Sequence, residues 1–185
     1  MDDRSRRDQD YADLLASALQ TWRVYPVVED SRSPLFAFVQ RRMWFDDYLA
    51  RARIGLLPLP RDYYTCACCG YPTIEEPQTL EVCYLCLWKD NGQDDPHANE
   101  YWRGAYYGLT LSAAREHFAA YVACFDDSSR YPLFSEEQDP ALLRAKRACI
   151  ALFEQMTRGD QAAPPWDKVG ELKAAIGGIR RRLRR

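Results

Sequence analysis

Histidine is scarce in this chain, with only His97 and His117 among 185 residues. That leaves little room for His-based acid–base or metal catalysis. No Ser-His-Asp constellation, glycine-rich phosphate loop or HExxH helix is present to compensate. Long apolar runs are missing too. No window reaches the ~18 residues that a membrane span requires. The opening MDDRSRRDQD is of mixed charge and precedes an amphipathic run, not the apolar core of a signal peptide. A cytoplasmic protein without membrane contact is therefore expected. Net charge of one sign is also nearly absent, at −2, so the chain as a whole makes no electrostatic case for binding nucleic acid.

What is present is apolar and aromatic. Apolar residues make up 47% and aromatics 13%, enough for a packed core. Five Trp and twelve Tyr fill core positions and also suit partner-binding faces. The charge is uneven. Arg180, Arg181, Arg182, Arg184 and Arg185 carry +5, which leaves −7 on the rest of the chain.

Periodicity places helices at both ends. Tyr11, Leu14, Leu15, Ala18, Leu19 and Trp22 recur at helical spacing, and an aromatic helix follows over about Phe36–Arg53. LTLSAAREHFAAYVACF reads as a helix capped by Ser112, with Ala114, Phe118, Tyr121 and Phe125 as its buried stripe. Asp139-Pro140 starts another, Asp as cap and Pro in the first turn, with Leu142, Ala145, Cys149, Leu152, Phe153 and Met156 as its apolar face. From Asp167 a last helix carries Val169, Leu172, Ile176, Ile179 and Leu183 in a short heptad-like seam, weakened by Gly177-Gly178. Cys124 and Cys149 are expected in the core.

Residues 61–108 differ, being loop-like and rich in turn residues. YYTCAC and TLEVCYL each read as a short strand entering a cysteine turn. Cys66-x2-Cys69 and Cys83-x2-Cys86 stand thirteen residues apart, which is close to zinc-ribbon spacing. Two intervening residues let the backbone turn tightly and aim both sulfurs at one point. Two such turns complete a tetrahedron around Zn²⁺. Gly70, directly after the first pair, supplies a left-handed residue for the turn. Cys68 is surplus to the set, His97 is an outlying candidate ligand, and His117 is expected to be structural. The fold class expected is α+β: a mainly helical body with an embedded small zinc-ribbon-like β module. Its segments are 1–60 (helical), 61–108 (cysteine module) and 109–185 (helical), packed as one unit.

Three motifs in register, CACCGYPT, VCYLCLWKDNGQDD and GLTLSAAREHF, resemble the bacterial cysteine-rich CPCC family from about Cys66 to Phe118. Ala67 stands where that family has Pro, and Lys89-Asp90-Asn91 replaces an acidic run. The resemblance implies a small metal-binding module and an association with toxin-neutralising roles.

Three functions follow. The first is a non-enzymatic binding protein in which zinc braces a surface. DNGQDDPHANEYW would then offer Asp90, Asp94, Asp95 and Glu100 beside Tyr101 and Trp102 to a basic partner such as a toxin. The second is nucleic-acid binding through the ribbon and the arginine tail. The acidic segment 62–95, with seven carboxylates opposed by Lys89, speaks against the ribbon's part in it. The third is thiol–disulfide exchange at a CxxC pair, which two pairs in cage spacing disfavour.

Overall fold

The computed structural model describes residues 25–59, 61, 63–102, 108–127, 133–159 and 165–185. The helix expected over residues 11–22 lies outside them. Among the described residues, five α-helices surround a small cysteine-rich region with one two-stranded sheet, an α+β arrangement dominated by helix.

Helix α1, Pro34–Arg53, begins two residues earlier than its aromatic pattern suggests. Ser33 caps it, its Oγ accepting the Phe36 N–H, and Pro34 occupies the first turn. Its inner face presents Phe38, Phe45, Tyr48 and Leu49 to the core. Strands β1, Tyr64–Thr65, and β2, Pro72–Ile74, pair antiparallel on either side of the first cysteine turn. The strand expected in TLEVCYL does not form: that segment contributes only an isolated bridge between Val82 and Lys89. Asp90 fastens this segment to the chain that follows the second cysteine turn. Its carbonyl accepts from Leu80, its N–H donates to Glu81, and its carboxylate accepts from Gln78 and Gly92.

Helix α2, Leu111–Tyr121, is capped by Thr110 rather than Ser112, with Thr110 Oγ1 accepting the Ala113 N–H. It stops at Val122, which takes a left-handed conformation, so Phe125 reaches the core from beyond the helix and Tyr121 stays partly exposed. The one-turn α3, Phe134–Glu137, leads into α4, Pro140–Arg158. As its sequence indicates, Asp139 caps α4 by accepting from Ala141 and Leu142, and Gly159 ends it in the left-handed region. Helix α5, Trp166–Leu183, lies along α4 through buried Val169 and Ile176.

The core is aromatic where α1, α4 and α5 meet. Phe153 stacks on Tyr71 and meets Phe45 edge-on, and Trp166 stacks on Tyr63. Trp166 Nε1 donates to the Tyr48 hydroxyl and the Pro58 carbonyl, so its polar edge is satisfied inside. Cys124 and Cys149 are both fully buried, as expected of core residues, and burial pushes the Cys149 thiol up to about 12.

Candidate metal centre

Two backbone turns of one design carry the cysteines. In the first, the Cys66 N–H donates to the Tyr71 carbonyl and the Gly70 N–H to the Cys66 carbonyl. In the second, the Cys83 N–H donates to Trp88 and the Leu87 N–H to Cys83. Each turn closes with a left-handed residue directly after its last cysteine, Gly70 in one and Leu87 in the other. The sequence pointed to Gly70. Leu87 carries no such signal, because leucine pays a steric cost in that region.

The turns bring Cys66, Cys69, Cys83 and Cys86 together, their sulfurs all within 4.8 Å of one another and the residues fully buried. The Cys66–Cys86 and Cys69–Cys83 Sγ separations are 3.6 and 3.7 Å. Four thiolates at about 2.3 Å from a tetrahedral ion would stand roughly 3.8 Å apart. The donor set therefore fits one soft divalent ion. Further donors face the sulfurs: the Cys86 N–H lies 3.5 Å from Cys83 Sγ, the Trp88 N–H 3.4 Å from Cys86 Sγ, and the Thr73 hydroxyl 3.0 Å from Cys83 Sγ. Burial holds the Cys66, Cys69 and Cys86 thiols above their ordinary range. Cys83 is opposed by the same burial yet pulled down, because the three other thiols donate to it. Ionising all four sulfurs at once needs a cation in their midst.

Residues 64–138 match the cysteine-rich CPCC family model. The match extends the resemblance beyond Phe118, through α2 and α3 to Gln138. No curated protein and no solved structure matches the chain.

Around the four cysteines, arginines hold the turns in place. Arg41 Nε donates to the Cys69 carbonyl at 2.9 Å, and Arg115 Nε to the Ala67 carbonyl at 3.0 Å. Arg42 is fully buried. Its guanidinium takes both oxygens of Asp94, at 2.5 and 2.8 Å, and reaches Asp95 at 2.9 Å, while Arg115 binds the other Asp95 oxygen at 2.7 Å. Burial disfavours the Arg42 charge, but Asp94, Asp46 and Asp95 more than restore it. Burial also raises the Asp95 carboxyl, against the pull of Arg115 and Arg42.

This network changes the reading of DNGQDDPHANEYW. Asp94 and Asp95 are internal ion-pair partners, and Asp90 ties down its own turn. Of the acidic surface expected there, Glu100 remains, holding the His97 ring and the Trp102 indole N–H. Tyr101 stays well exposed. His97 lies outside the sulfur cluster, as does Cys68, which is buried and directs its thiol to the Ala114 carbonyl at 3.4 Å. His117 packs structurally, between the Cys124 carbonyl and Asp126. Arg41, Arg42 and Arg115 were not singled out from sequence. Their only signal was arginine on otherwise apolar helix faces.

A second buried cluster braces the other cysteine turn. Glu137 takes Arg180 through two hydrogen bonds of 2.7 Å and Lys146 at 3.1 Å. Arg180 also donates to the Tyr84 carbonyl, and Lys146 to that of Val122. The Cys124 N–H donates to the Cys86 carbonyl at 2.7 Å. One of the terminal arginines is thus a structural strut. No helix among the described residues is long and apolar enough to cross a membrane.

Proposed function

We propose that the cysteine tetrad holds Zn²⁺ and that the chain is a non-enzymatic, zinc-stabilised protein-binding protein. The observation that carries this reading is closure: four sulfurs, all fully buried, share one centre. A four-cysteine cage leaves no coordination position for substrate, which is the arrangement of a structural site. The same closure speaks against dithiol exchange, which requires an accessible, activated thiol.

The recognition face then lies on what the zinc braces. Leu80, Val82 and Tyr101 are exposed on the CPCC segment. Leu80 and Gln78 sit in left-handed conformations, in a loop fastened by the Glu81 carboxylate to the Glu75 and Glu76 N–H groups. A fixed, apolar loop suits a protein partner. The narrower reading, a bacterial immunity-type protein that neutralises a toxin in the cytoplasm, rests on the family resemblance. A 1:1 complex with a toxin encoded by a neighbouring gene, weakened by Leu80→Arg, would support it.

The deciding experiment is elemental analysis of reduced, purified protein, alongside Cys83→Ser. One zinc per chain, lost in the variant together with structure in 61–108, is expected. Metal-free wild type, or a variant that keeps its zinc, overturns the assignment.

A further inference from the structure

The arginines near the end of α5 divide into two kinds. Arg180 is buried on Glu137, and Arg184 reaches Glu136 at 3.2 Å. Arg181, Arg182 and Arg185 are exposed, and their guanidiniums have no partner among the described residues. The same holds for Arg144 and Arg147, one turn apart on α4. The buried cluster brings these two groups to one end of the helix pair. Glu137 is gripped by both Lys146 and Arg180, which are the immediate neighbours of Arg147 and Arg181. The stretches of α4 and α5 nearest Glu137 thus carry five exposed arginines with no partner among the described residues.

A second observation concerns the surface beneath them. Arg181 and Arg182 lie back along α5 over Gly177 and Gly178. Arg181 Nη1 stands 3.5 Å from where a Gly177 Cβ would be, and Arg182 Nη1 3.8 Å from that of Gly178. Two glycines inside a helix weaken it, and here they leave a low surface bearing flat guanidinium planes. We propose that this end of α4 and α5 binds the phosphate backbone of a polynucleotide, without reading its sequence.

Charge and surface composition select this occupant. Of the exposed large apolar side chains, only Leu183 belongs to these helices. An acidic protein partner would need apolar anchors, and a membrane surface would need an apolar helix face. Neither is present. A polyanion needs only spaced cations, and guanidinium matches phosphate bidentately. These arginines belong to α4 and α5 and not to the acidic cysteine-rich loops, which Arg180 touches only from inside.

The test is fluorescence anisotropy of the zinc-loaded full chain with a labelled 20-base-pair DNA duplex, at salt from about 50 to 200 mM. With four to five phosphate contacts, log K should fall against log[salt] with a slope of about −4. Arg181→Ala/Arg182→Ala should reduce that slope by about two while leaving Tm unchanged, because neither guanidinium has a partner among the described residues. Arg144→Ala/Arg147→Ala should do the same. Lys168→Ala, at the opposite end of α5, should change nothing. The proposal fails if the duplex is not bound at the lowest salt, if either double variant keeps the wild-type slope, or if poly-glutamate competes as well as DNA at equal charge.

Discussion

Leu87 does for the second cysteine turn what Gly70 does for the first. Both follow the last cysteine of their pair with positive φ, 66° and 75°, and both donate back to the first cysteine's carbonyl. The equivalence is geometric and not energetic. A β-carbon at Gly70 would stand 3.2 Å from the Phe38 ring, whereas the Leu87 side chain is itself buried. Gly70→Ala should therefore cost about 1–2 kcal/mol from the left-handed backbone, plus the displacement of Phe38. Leu87→Gly relieves the backbone but loses a buried side chain worth about 1.5–3 kcal/mol, so it too should destabilise, by about 1 kcal/mol. Chemical denaturation of the metal-loaded protein measures both.

Cys68 separates ligand from bystander. Its thiol bonds the Ala114 carbonyl and lies outside the cluster of four. Cys68→Ala should keep the wild-type metal content and lose about 1 kcal/mol, the worth of a weak buried hydrogen bond and a small packing defect. A variant that loses its metal would place Cys68 among the ligands.

Arg42 is the residue on which the 90–95 turn depends. Arg42→Ala removes the guanidinium that binds both Asp94 and Asp95 and leaves two adjacent carboxylates short of a cation, which should cost about 3–5 kcal/mol. Asp95→Asn, which leaves Arg42 bound to Asp94, should cost less. Equal stability in Arg42→Ala and wild type, measured in urea, would show that the network is solvated and not internal.

Glu137 sets an acid limit. Burial works against its ionisation, but Arg180 and Lys146 outweigh burial and hold its carboxyl below the usual range. A carboxyl whose folded pKa is depressed contributes stability that is present above its unfolded value, about 4.3, and is lost as pH falls through the folded value. Thermal melts from pH 6 downward should show that loss, and Glu137→Gln should be less stable at pH 6 while losing less on acidification.

Gly177 and Gly178 offer the opposite sign. A β-carbon at either meets only the ends of Arg181 and Arg182, at ordinary contact distance. Each Gly→Ala change should thus stabilise α5 by about 1 kcal/mol, read as a rise in Tm.

Much of this was legible in the residues. The α4 start at Asp139-Pro140, the helical seam of α5 and the four converging cysteines follow from local rules: capping, periodicity and chelate spacing. What was missed depends on distant partners. Ser112 is as good a cap as Thr110 by composition, and only the direction from which the chain enters α2 decides between them. TLEVCYL has strand-like residues, yet its pairing with the chain after Cys86 stops at one bridge, Val82 to Lys89. The acids of the 90–95 turn look solvated until Arg42, some 50 residues earlier, is found beneath them. Ion pairs across such separations leave no periodic trace.

The struts have a practical corollary for anyone who would cut the gene. An excised fragment with the limits 64–138 would keep all four cysteines and both carboxylate hubs, Asp94–Asp95 and Glu137. It would keep Arg115 on Asp95 but discard Arg42, Lys146 and Arg180. Such a fragment would carry a complete set of sulfurs beside carboxylates stripped of most of their cations.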